Sequence, residues 1–198
     1  MSIEPNKKIT DKQVQNFKFI LRRSCETRFV SSLKKQEKIL ISEMENHDDF
    51  LYGQWMSIIL LSGPSLQATL KLHYYNSSAK HITATALGID DHKVKDTMLM
   101  DHMKELTNLF AGEVKAQLFH NDILVGISLP LITRGFDEVL FSDRIGNHQV
   151  KDFWTMSSES DRIKVTVTTE SEVFHPDIFE DVKFLEQNEE DEGEVDFL

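Results

Sequence analysis

The chain has 198 residues, 28% of them charged, with 33 acidic against 22 basic side chains and a net charge of −11. That length suits one domain with extensions. No apolar run approaches the roughly 20 residues of a membrane span, and no basic stripe is present for nucleic acid, so neither partner is expected. The acidity is concentrated: residues 180–198 hold nine acids and one base, a net of −8 that leaves the body near −3. A segment that acidic and poor in core formers does not fold by itself. It reads as a solvated tail, or as a docking peptide, because Val182, Phe184, Leu185 and the terminal Val195-Asp-Phe-Leu198 interrupt the acids.

The N-terminal Met1-Ser-Ile-Glu-Pro-Asn-Lys-Lys8 has no apolar core, so no secretory signal is expected. A single cysteine, Cys25, excludes an intramolecular disulfide framework and fits a reducing cytoplasm. Thr10 followed by Gln13 is a capping-box pattern that predicts a helix from about Asp11. Val14, Phe17, Leu21 and Cys25 recur at helical spacing, which carries the helix to about Ser32 or Leu33 and puts Cys25 in the core. Lys34, Lys35 and Lys38 near its end favour a helix C-terminus. Ile39–Ile41 is a short strand candidate, and 43–49 reads as a turn or loop.

Trp55–Leu61 is an apolar run of strand length, ended by Gly63-Pro-Ser65. Leu66, Ala68, Leu70, Leu72 and Tyr74 alternate, so a second strand with one buried face completes a hairpin. Ser77 or Ser78 can cap a short helix to about Leu87, stopped by Gly88, and Asp90 or Asp91 can cap the next helix. After the polar turn at 120–122, Ile123–Ile132 is a strand region broken at Pro130, since proline cannot donate to a sheet ladder. Phe136–Phe141 and Asp152–Met156 are further strand candidates. Ile163, Val165 and Val167 alternate with polar residues, a strong strand signal. No internal repeat precedes the tail. The predicted organisation is a disordered stretch at 1–10, one α+β domain over 11–176 and an acidic disordered tail over 177–198. The domain is expected to pack a mostly antiparallel sheet on long helices.

The most informative stretch is Asp101-His-Met-Lys-Glu-Leu-Thr-Asn-Leu-Phe-Ala-Gly-Glu-Val-Lys115, which reads as one helix running to about Leu118. With about 100° per residue, Leu99, Met103, Leu106 and Val114 fall within roughly 40° of Phe110 and form a core stripe. Asp101, Glu105, Asn108, Gly112 and Lys115 fall on the other side. Glu105 and Asn108 are i and i+3, hence surface neighbours. Gly112 costs the helix about 1 kcal/mol relative to alanine, and its missing side chain lets another surface approach the Asn108 amide.

Glu105-Leu-Thr-Asn108, Phe110-Ala-Gly112, Lys115 and then Ile127-Ser-Leu-Pro130 together resemble the signature of the CheX/CheC family of chemotaxis phosphatases. The close resemblance covers about residues 99–133, and a looser one in element order covers 53–170. It implies the family's α/β layers, often a dimer, and hydrolysis of the aspartyl phosphate of a CheY-like response-regulator receiver domain. By the resemblance, Asn108 and Glu105 are the catalytic pair, the first orienting water and the second pairing with a receiver lysine. Asp101, Gly112 and Lys115 would belong to the partner-binding surface. Magnesium would sit on the receiver, and this chain need bind no metal or other cofactor. Glu113 stands where the family often has asparagine, which is expected to add negative charge near the site.

The eight histidines form no ligand set, and no Gly-x-Ser-x-Gly elbow or phosphate-cradling Gly-Lys loop is present. Zinc enzymes, serine hydrolases and nucleoside triphosphatases are therefore set aside. The reading opposed to a phosphatase is a non-catalytic module of the same superfamily, like the flagellar motor switch domains, that binds receivers without hydrolysing them.

Overall fold

The computed structural model describes residues 9–34, 37–43, 53–135 and 149–185. Among the described residues, three helices, α1 (Asp11–Ser32), α2 (Asn76–Leu87) and α3 (Asp96–His120), combine with seven strands: β1 (Ile39–Glu43), β2 (Trp55–Ser62), β3 (Leu66–Tyr74), β4 (Gly126–Ile127), β5 (Leu131–Arg134), β6 (Gln149–Ser158) and β7 (Lys164–Val173). The strands form one antiparallel sheet in the order β1-β6-β7-β3-β2-β4, with β5 also on β2. This is the α+β arrangement expected from the pattern of elements. The strand candidate at 136–141 lies outside the described residues.

The local signals explain the elements. Thr10 Oγ1 accepts from Gln13 N, and Gln13 Oε1 accepts from Thr10 N, so the capping box opens α1. Gly88, at φ 69°, closes α2 in the left-handed region that glycine enters without a Cβ penalty. Pro130 lies between β4 and β5, where no ladder bond is required of it.

The caps predicted at α2 and α3 do not form. Tyr75 precedes α2 without a side-chain cap, and the Asn76 amide donates to Gln54 Oε1 instead. Ser78 Oγ accepts from Lys164 N. α3 begins at Asp96 rather than near Asp91. Asp91 is committed elsewhere, its Oδ1 3.2 Å from His81 Nδ1 and its Oδ2 2.8 Å from Arg162 Nη2. Tertiary partners outcompete the local caps at both places.

Helices α1 and α3 pack together on one face of the sheet. The ring of Phe29 on α1 meets that of Phe110 on α3 edge-on, with centroids 6.1 Å apart. Beneath them Leu72, Val167 and Trp154 are cross-strand neighbours and buried. Cys25 is buried in the same core, and burial pushes its thiol far above the ordinary range, so it is inert packing. A charged link ties α1 to the sheet: Arg22 and Lys18 both reach the buried carboxylate of Asp152 on β6.

Residues 177–185, assigned to the tail from composition, make defined contacts with the body. Pro176–Phe179 forms a short 3-10 turn whose Phe179 ring is fully buried 4.7 Å from Phe17. Asn16 Nδ2 donates to the carbonyls of Phe179 and Glu180. Further along, Phe184 packs edge-on against Phe19.

Candidate functional site

α3 has two chemically different faces. Leu99, Met103, Leu106, Phe110 and Val114 are at most 1% exposed, as the helical wheel predicts. On the outer face Asp101, Glu105 and Lys115 are exposed, and Asn108 and Gly112 are half-buried. The Phe29–Phe110 contact and the buried stripe fix the helix rotation, so the outer side chains are presented from a rigid element. At 1.5 Å per residue the stripe from Asp101 to Lys115 is roughly 20 Å long. Glu105 and Asn108 lie one turn apart, with Cβ atoms about 5–6 Å from each other. Asp101 and Lys115 are therefore too far apart to share one small group, and a stripe of that length suits a protein footprint.

Among the described residues, Glu105, Asn108 and Lys115 make no hydrogen bond or ion pair. Their polar groups are free for an external partner. Gly112 has the same character. A Cβ built there meets nothing within 4 Å, so no described neighbour in the fold requires glycine.

Glu113 corrects the sequence reading. It does not add charge to the outer face. It is 1% exposed and points to the α1 side of the helix. Its Oε2 accepts from Arg28 Nε at 2.9 Å and Nη2 at 2.8 Å, and its Oε1 accepts from Gln117 Nε2 at 2.8 Å. The position that departs from the family pattern is thus spent on packing α1 against α3.

The environment of His102, the exposure of Leu129 and the exposure of Phe119 escaped the sequence reading. His102 is half-buried, and its Nε2 has no hydrogen-bond partner among the described residues. Burial pushes its imidazole below the ordinary value, with Glu105 one turn away pulling it upward. The Ile127-Ser-Leu-Pro130 segment is folded beside α3 through β4 and β5. Ser128 holds it to β2 with paired bonds: its N–H donates to Leu60 O, and its Oγ accepts from Leu60 N. This leaves Leu129 90% exposed. On α3, Phe119 is 65% exposed one turn beyond Lys115. Two large apolar side chains are thus exposed on α3 and on the segment beside it. Their types carry no sequence signal, because only the tertiary path of the chain leaves them uncovered.

Residues 55–146 match the family model of the chemotaxis phosphatase CheX. Among solved structures, a chemotactic CheC-like protein from Shewanella oneidensis MR-1 superposes with a TM-score of 0.62 at 15% identity, over 79% of this chain and 98% of the other. The CheX of a CheX–CheY–BeF3–Mg2+ complex from Borrelia burgdorferi gives a TM-score of 0.62 at 13% identity, over 79% and 97%. FliY from Thermotoga maritima gives 0.56 at 16% identity, over 86% and 95%. At those identities the likeness to solved structures shows the fold. No curated protein matches the chain in sequence. The family match contains both the Glu105–Asn108 helix and the Ile127–Pro130 segment, and the fold around them is the one these structures share: over residues 55–146 the chain is similar to the chemotaxis phosphatase CheX, on a CheC/CheX-like fold.

Proposed function

We propose that this protein is a phosphatase for the aspartyl phosphate of a response-regulator receiver domain, working where receivers do, in the cytoplasm. The observation that carries the reading is the pair Glu105 and Asn108. They stand side by side on the solvent face of a rigid helix, with no hydrogen bond or ion pair to the described residues.

The chemistry suits the residue types. Phosphoryl transfer asks the protein for in-line positioning and charge stabilisation more than for covalent participation. A carboxamide can accept a hydrogen bond from water and donate another without placing negative charge beside the phosphoryl group. Asn108 would hold water in line with the scissile bond. The water oxygen bonds to phosphorus as the bond from phosphorus to the aspartyl oxygen breaks. Inorganic phosphate leaves, and the receiver regains its carboxylate. Glu105, a carboxylate, would sit poorly against phosphate but grips a cation well, so it would dock a lysine of the receiver. Magnesium would arrive with the receiver. Asp101, Gly112 and Lys115 extend the footprint along α3. The homodimer expected from the family resemblance belongs to the same reading and is testable by sedimentation.

A second reading is a non-catalytic module that binds receivers or other signalling partners; the fold, shared also with FliY from Thermotoga maritima, fits it as well. The two readings separate in one assay, the decay of phosphorylated receivers with and without the protein. Acceleration supports the phosphatase, and binding without acceleration supports the module.

A further inference from the structure

On the α1 side of α3, two carboxamides hold an extended stretch of the chain by its backbone. Asn121 takes residue 183 in both directions, Lys183 N donating to its Oδ1 and its Nδ2 donating to Lys183 O, each at 2.8 Å. Gln117 does the same for residue 185: Leu185 N donates to its Oε1 at 2.8 Å, and its Nε2 donates to Leu185 O at 2.9 Å. Exposure alternates along the stretch. Val182 and Phe184 are half-buried, with Val182 against the core and Phe184 against Phe19, while Lys183 and Leu185 point outward. The clamp is braced from behind, because the 2%-exposed Gln117 also donates to Glu113, which Arg28 holds. A groove of this kind reads Val and Phe two residues apart and the backbone between and after them, and it is indifferent to the side chain in between.

Those determinants occur twice in the chain. Val182-Lys-Phe-Leu185 is repeated as Val195-Asp-Phe-Leu198, the last four residues. The only change, Lys183 to Asp196, falls at the outward-pointing position. The 13 residues from Val182 to Glu194 can span up to about 43 Å when extended, ample to carry the second copy back to a groove beside residue 181. A tether of such length gives an effective concentration of millimolar order, so a weak intrinsic affinity suffices.

We propose that the Phe19–Gln117–Asn121 groove is an exchangeable peptide site, and that the chain's own C-terminal Val195-Asp-Phe-Leu198 competes in cis with Val182–Leu185 for it. The two docked forms differ in which part of the acidic tail is held against α3 and which is released.

The test replaces Phe197 with the photocrosslinker p-benzoylphenylalanine in the full chain, leaving both the groove and its 182–185 occupant intact. Irradiation and peptide mapping are expected to join residue 197 to segments containing Phe19 or Gln117 of the same chain. Val195→Ser should remove that crosslink, and Val182→Ser with Phe184→Ser should raise its yield several-fold. Should the latter variant melt, the first two results still decide. Crosslinks that map away from the groove, or that ignore Val195→Ser, overturn the proposal. Crosslinks found only between isotopically distinct copies overturn the cis occupant and make the groove a contact between two chains.

Discussion

Arg28 on α1 and Glu113 on α3 form an ion pair in which the carboxylate is 1% exposed and the guanidinium 32% exposed. The asymmetry predicts unequal costs. Arg28→Ala leaves a buried carboxylate without its cation, and removing one partner of a buried pair costs about 3–5 kcal/mol. Glu113→Ala leaves a guanidinium that can turn to water, so the loss should be distinctly smaller. Urea denaturation of the two variants checks the order, and equal midpoints would contradict it.

This pair also marks where sequence reasoning stopped. Thr10 with Gln13, the alternation around Ile163–Val167 and the stripe around Phe110 are local signals, and each element appears where its residues put it. Nothing local distinguishes Glu113 facing Arg28, 85 residues away, from Glu113 facing solvent. The same holds for Asp91, drawn off its expected capping role by His81 and Arg162. Composition said that 180–198 could not fold by itself, which left unanswered whether Gln117 and Asn121 would hold its first residues. Of the site, the Glu105–Asn108 pairing was legible because helix periodicity alone places both side chains, whereas the exposure of Leu129 depends on the turn between β4 and β5.

The docked segment changes the expectation for truncation. From composition, removing residues 180–198 would leave stability untouched. The clamps at Gln117 and Asn121 and the Phe19–Phe184 contact make a loss of about 2 kcal/mol the expected result. A thermal melt unchanged by the deletion would show that these contacts add nothing in solution.

His102 should make stability fall in mild acid. Because burial lowers its folded value, the unfolded chain takes up this proton at higher pH than the folded chain. The contribution is therefore complete above the unfolded value of about 6.5 and declines as pH falls through it towards the folded value. Glu37 and Asp91 act in a lower window. The His81 hydrogen bond lowers Glu37 against some burial, and in Asp91 burial is outweighed by His81 and Arg162. Their stabilisation is present above about pH 4 and lost as pH drops through their folded values. His102→Gln should flatten the change in melting temperature between pH 7.5 and 5.5. An unchanged slope would contradict the assignment.

Gly112 separates helix stability from partner docking. Gly112→Ala fits the open space around it and should stabilise the protein by up to about 1 kcal/mol through helix propensity. If the glycine keeps the surface low for a partner, the same variant should bind a phosphoryl-mimic receiver several-fold more weakly. A variant both more stable and equally tight-binding would remove Gly112 from the footprint.

The phosphatase reading rests on Asn108, and the most direct measurement is receiver dephosphorylation by Asn108→Ala beside two controls. Phe110→Ala removes a fully buried ring and should cost about 3–5 kcal/mol. Asn108→Ala lies outside the core and should change stability by no more than about 0.5 kcal/mol. Glu105→Ala should mainly weaken binding of the phosphoryl-mimic receiver. Asn108→Ala should keep that binding and lose the acceleration, a drop of about 100-fold or more for removal of one positioned group. An Asn108→Ala protein that dephosphorylates its receiver as fast as the parent would contradict the catalytic role and leave the binding module as the function of this surface.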